Sequence, residues 1–158
     1  MYTVTHFSTS AMQREDVDAI ATYLMTDKQG KLLTAAPGPE ALPIASDPLL
    51  QPGRLSYMSA CAACHGVSGE GIPNVSPAMK GNATLAMDDP QTLIKAVLNG
   101  IPTQIFKNGE RMYAMPPFAH RMSDAEIAEL VTWIRAEWGG QAVPVSAGQV
   151  SAQETAVK

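Results

Sequence analysis

The sequence predicts an all-α chain, and three observations carry that prediction. Apolar residues recur at helical spacing in four stretches. Glycines and prolines cluster between those stretches rather than inside them. Runs of alternating apolar and polar residues, the mark of a half-buried strand, are nearly absent.

Taken in order, the first stretch is residues 12–24, with Val17, Ile20, Tyr23 and Leu24 along one face. Residues 28–52 then read as a linker. Gly30, Pro37, Gly38, Pro39, Pro43, Pro48 and Pro52 interrupt it too often for a helix or a central strand. Residues 53–65 are predicted to be the first helix of a compact domain, with Gly53, Tyr57 and Cys61 at i, i+4 and i+8. A loop rich in Gly, Pro and Asn spans 66–82. Asp88 or Asp89 should cap the next helix, Pro90 should open it and Gly100 should end it, with Leu93, Ile94, Val97 and Leu98 facing inward. Residues 101–121 are irregular. Ser123 and Glu126 form a capping box for the last helix, which Gly139-Gly140 terminates. Residues 141–158 are polar and rich in small side chains, and are expected to be disordered.

An internal echo runs through this order. At a constant offset of 110 residues, Val17 meets Ile127, Ile20 meets Leu130, Tyr23 meets Trp133, Leu24 meets Ile134 and Asp16 meets Glu126. The match predicts that residues 1–27 are the closing helix of a preceding domain, cut off from the rest of it. The expected organisation is therefore 1–27 remnant helix, 28–52 linker, 53–140 compact domain and 141–158 tail. Such a stranded helix should pack on the compact domain, pair with another chain, or fray.

Composition narrows the function classes. The formal net charge is -4 with no basic run, which argues against a nucleic-acid partner. No apolar stretch approaches the roughly 20 residues of a membrane span. The N-terminus lacks the basic and apolar regions of a secretory signal, so either a signal has been removed or the chain is a piece of something longer.

The chemistry is concentrated in Cys61-Ala62-Ala63-Cys64-His65. Two thiols three positions apart can each bond one vinyl group of a haem, and the adjacent histidine can then bind the iron. A thioredoxin-like pair would want a βαβ pattern, and none is visible. A zinc site would need two further ligands, and His6 and His120 lie far off at no ligand spacing. For the opposite face of the iron the candidate is Met115, in Tyr113-Ala114-Met115-Pro116-Pro117-Phe118. The two prolines stiffen the backbone directly after the thioether. Met112 and Met122 are the local alternatives, and a plain core methionine is the commonest role for any one of them.

With these positions set out, residues 53–140 resemble class I c-type cytochromes. That likeness implies the cytochrome c fold, three to five short helices around one covalently bound haem c. In that family a glycine and an aromatic stand eight and four places before the first haem cysteine, as Gly53 and Tyr57 do here. They pack on a leucine and an aromatic of the last helix, matched by Leu130 and Trp133. A proline twelve residues after the histidine offers its carbonyl to the ring, and Pro77 holds that place. The resemblance implies Cys61, Cys64, His65, Met115, Pro77, Tyr57 and Trp133 as the cofactor site, with His65 and Met115 on the metal. A narrower likeness runs from Gly69-Glu70-Gly71-Ile72-Pro73 through Pro77-Ala78-Met79-Lys80-Gly81-Asn82. It resembles a loop in the multi-haem cytochrome subunits of bacterial membrane-bound dehydrogenases for alcohols, aldehydes, gluconate or nicotinate. Thr5-His6-Phe7-Ser8-Thr9-Ser10 through Leu24 resembles the join between their domains. This chain differs in having one C-x-x-C-H where those subunits have three, and Met79 where leucine is usual.

What the resemblance implies is an electron-transfer protein rather than an enzyme. It would be periplasmic, and would take electrons from a dehydrogenase catalytic subunit and pass them toward quinone or a terminal oxidase. Leu93, Val97, Phe118, Leu130 and Trp133 are expected to form a dry pocket. Between residues 53 and 140 seven Lys/Arg oppose eight Asp/Glu, which suits docking to a fixed neighbour better than long-range steering. The alternatives are a haem sensor or peroxidase-like protein with an open iron site, and a thiol-redox or structural module without haem.

Overall fold

A computed structural model of the chain describes residues 11–33, 47–106, 109 and 111–155. It divides into two compact units, residues 1–37 with 105–110 and residues 38–104 with 111–158. Among the described residues the structure is helical except for one two-stranded sheet. The all-α expectation therefore holds, with more helices than the three to five foreseen. The Thr5–Ser10 segment, linker residues 34–46 and residues 156–158 lie outside the described residues.

In the first unit, helix α1 spans Arg14–Met25. Glu15 and Asp16 sit in its first turn, where negative charge suits the exposed N–H groups. A tight turn follows, in which Asp27 Oδ1 accepts from the N–H groups of Gln29 and Lys31, each at 2.9 Å. Nothing in α1 is buried. Tyr23 is 82% exposed, whereas Trp133, its counterpart in the echo, is 4% exposed.

The second unit opens with a 3₁₀ turn at Pro48–Leu50, capped by Asp47, which runs directly into α2 at Gln51–Ala60. The linker thus ends earlier than expected, since Pro48 and Pro52 occupy first-turn positions that tolerate proline. After Cys61 the short α3 covers Ala62–His65. Asn82 caps α4 at Ala83–Ala86 by accepting from Thr84 N. Asp89 Oδ1 accepts from Gln91 N at 2.9 Å at the start of α5, Gln91–Asn99, whose inward residues are the four predicted. Strands β1, Gln104–Ile105, and β2, Arg111–Met112, pair with each other. The central element is α6, Asp124–Gly139, which carries the predicted capping box and ends at Gly140 in the left-handed region.

Beyond α6 the expectation of disorder fails, because α7 forms at Ala147–Thr155. Two buried valines, Val145 and Val150, tie this region to the core. Polar anchors complete the attachment. Val145 N donates to Thr132 Oγ1 at 2.8 Å, Gln141 Nε2 to Ala86 O at 2.8 Å, and Arg135 Nη1 to Val143 O at 3.3 Å. Arg135 is buried, and its Nη2 donates to the carbonyls of Met87 and Asp88, while its Nε is buried without a partner. Burial lowers its pKa, and the neighbouring Asp88 and Asp89 partly offset that.

Candidate haem-binding site

The site is built on the crossing of α2 and α6. At Gly53 an added Cβ would fall 2.2 Å from Glu129 O and 2.7 Å from Trp133 Cβ, so only glycine lets the helices approach this closely. One turn on, Tyr57 stacks against Trp133 and Trp138 with ring centroids 5.0 and 4.9 Å away. Its hydroxyl donates to Gly66 O at 2.6 Å, the residue after His65. Burial is the main cause that raises the phenol's pKa, with Cys61 and Glu70 adding, so the group remains a donor. In this structure Tyr57 and Trp133 hold the frame beneath the motif.

Of the two cysteines of the motif, Cys61 is buried and Cys64 exposed. His65 is buried, and its Nδ1 lies 3.2 Å from Pro77 O. A carbonyl can only accept, so Nδ1 carries the proton and Nε2 is left with its lone pair for a metal. The twelve-residue spacing read from the sequence thus corresponds to a real contact.

Met115 is half-buried against the core, and its backbone is fixed by its neighbours. Met115 N donates to Ile101 O at 2.9 Å and Ile101 N to Met115 O at 3.0 Å, while Phe118 N donates to Val97 O at 3.0 Å. Gly100, with φ +68°, makes this possible, since a Cβ there would fall 2.4 Å from Met115 O. A cleft of about 420 Å³ is lined by Ala60, just before Cys61, and by Pro116, just after Met115, together with Phe118, Arg121, Met122 and Glu126. The methionine on its wall is Met122, and Cys61, Cys64, His65 and Met115 do not line it. Leu93, Val97, Phe118, Leu130 and Trp133, the residues expected around the pocket, are all buried in one core.

The donor types fit a haem: two thiols at the C-x-x-C-H spacing, an imidazole whose Nδ1 faces a carbonyl, and a thioether on a braced loop. It does not fit a zinc cage, because no three of His, Cys, Asp and Glu gather as a metal-holding group among the described residues. Gly100 is a residue whose part sequence reasoning missed, since it was legible only as a helix end.

Comparison with known proteins agrees. The chain is 30% identical over 157 residues to the cytochrome c subunit of the quinone alcohol dehydrogenase of Gluconobacter oxydans, covering 98% of this chain and 32% of that protein. It is 28% identical over 152 residues to the cytochrome c subunit of the gluconate 2-dehydrogenase of Pantoea cypripedii, covering 90% and 33%. It is also 30% identical over 128 residues to a nicotinate dehydrogenase subunit of Pseudomonas putida, covering 80% and 10%. The chain thus spans about a third of the length of the first two and a tenth of the third. The family model for cytochrome c matches residues 50–138, so the chain belongs to the cytochrome c family, and with that membership comes a covalently bound haem c.

Proposed function

We propose that this chain is a one-electron carrier of a dehydrogenase complex. Cys61 and Cys64 would hold the haem, and His65 and Met115 would be the side chains that bind its iron. The haem, when bound, supplies a one-electron couple at iron. The chain's own residues do the rest. Pro77 O orients the imidazole, the Ile101 and Val97 carbonyls hold the Met115 loop against the cleft, and Leu93, Val97 and Phe118 keep water out. The observation that carries this reading is the 3.2 Å contact between His65 Nδ1 and Pro77 O, directly after the two cysteines, which leaves Nε2 free for a metal.

Electrons would enter from a dehydrogenase catalytic subunit and leave toward quinone or a terminal oxidase, on the periplasmic side of the membrane. The three relatives support the partner class. Among the described residues no helix is long and apolar enough to cross a membrane. Helix α1 would be the counterpart, in another cytochrome domain, of the closing helix α6. The exposure of the α1 stripe, set against the burial of its counterparts in α6, supports that assignment.

The test is the visible spectrum of the matured ferric protein. A weak far-red band that disappears in Met115→Ala, while the covalent haem remains, is the expected result. A high-spin spectrum in the unsubstituted protein would overturn methionine ligation and favour a sensor or peroxidase-like site with open iron.

A further inference from the structure

Pro77 is exposed, yet its carbonyl is held within hydrogen-bonding reach of His65 Nδ1. Burial of its own ring cannot be all that fixes it, so restraint must come through the chain on either side. On the C-terminal side Met79 is buried, and its N–H donates to Gly69 O at 2.7 Å. On the N-terminal side the Ser76 hydroxyl donates to Cys64 O, the carbonyl immediately before His65. The backbone of Ser76 is also paired with Ile72 in both directions, at 3.1 and 3.0 Å, which closes 72–76 into a tight turn. Gly71 N donates to His65 O at 2.8 Å. Two bonds from this region therefore end on the backbone of Cys64 and His65. The one from Ser76 comes from a side chain, so it can be removed without altering the backbone.

We infer that Ser76 is a positioning residue for the iron ligand. By gripping Cys64 O, its hydroxyl sets where the Pro77 carbonyl stands relative to the His65 ring, and so sets the strength of the N–H···O bond. The inference rests on the reading of His65 as that ligand. A firm bond from Nδ1–H to a carbonyl makes the imidazole a stronger donor, which favours oxidised iron. Slackening the bond favours the reduced form.

The test compares Ser76→Ala with the isosteric pair Ser76→Thr and Ser76→Val in the matured full-length chain. It reads the midpoint potential and the solvent-exchange rate of the His65 ring N–H by NMR, with circular dichroism as the check on folding. Ser76→Ala and Ser76→Val should raise the reduced-to-oxidised ratio at fixed ambient potential by about two- to tenfold, at most about 59 mV. Their ring proton should exchange several times faster. Ser76→Thr, which keeps the hydroxyl, should restore both. Should Thr and Val behave alike, or Ala leave potential and exchange unchanged, the positioning role is overturned while His65 ligation stands. Absence of a hyperfine-shifted His65 ring proton in the unsubstituted protein would instead overturn the ligand reading itself.

Discussion

At the residue scale, single atoms decide how close the parts of the site come. Gly53 and Gly100 do the same job at two close approaches, since each leaves room where a Cβ would collide with backbone oxygen. Gly100→Ala adds a left-handed strain to that collision. It should cost about 1–3 kcal/mol by overpacking and push Met115 outward. The expected readout is a lower melting temperature together with a weakened far-red band. A variant that loses stability but keeps the band at full strength would separate packing from ligation. The Cys61–His65 motif and the His65–Pro77 contact were legible in the sequence because each has a fixed spacing. Ser76 was not, because a serine that bonds a carbonyl twelve residues away leaves no local pattern.

At the scale of elements, the helices begin where side chains replace missing backbone partners. Ser123 N donates to Glu126 Oε2 at 2.8 Å and Ser123 Oγ accepts from Glu126 N at 3.3 Å. The bonds from the Ser123 N–H and hydroxyl hold the Glu126 carboxyl below its ordinary 4.5. A carboxylate whose folded value is depressed stabilises the fold fully above the unfolded value, and that contribution is lost as pH falls through the folded one. Melting temperature should therefore fall on acidification below about 4.5, and Glu126→Gln should flatten that limb of the curve. An unchanged acid limb in Glu126→Gln would remove the box from the pH response. Helix α7 starts in the same way: Ser146 N donates to Gln149 Oε1 at 2.9 Å and Gln149 N to Ser146 Oγ at 3.2 Å. That Ser-x-x-Gln signature was present in the sequence. The small polar residues around it masked it, and the two valines that bury α7 are too few to give a visible stripe. Truncation after Gln141 should remove about 1.5–3 kcal/mol for each of Val145 and Val150. Equal melting temperatures of truncated and full chains would show that α7 adds nothing.

At the scale of the molecule, the sequence echo makes a matched pair of substitutions informative. Trp133 is buried on α6 while Tyr23, at the equivalent place on α1, is not. Trp133→Ala should cost about 3–5 kcal/mol, and Tyr23→Ala less than about 0.5 kcal/mol, both read from denaturant unfolding of this chain. A comparable loss at both positions would mean that α1 already has its partner here. The all-α class, the order of the main helices and the ligand motif could be read in advance, because periodicity, caps and cysteine spacing are local. The tail and the bracing of the Met115 loop could not, because both depend on contacts distant in sequence.

Electron transfer by this chain requires an iron porphyrin bonded to the two cysteines. The decisive measurement is whole-protein mass spectrometry under denaturing conditions, after expression with the maturation machinery for such haems. The expected result is the polypeptide mass increased by one haem, with the increment lost when Cys61 and Cys64 are both replaced by alanine. The bare polypeptide mass from a correctly matured preparation would contradict it.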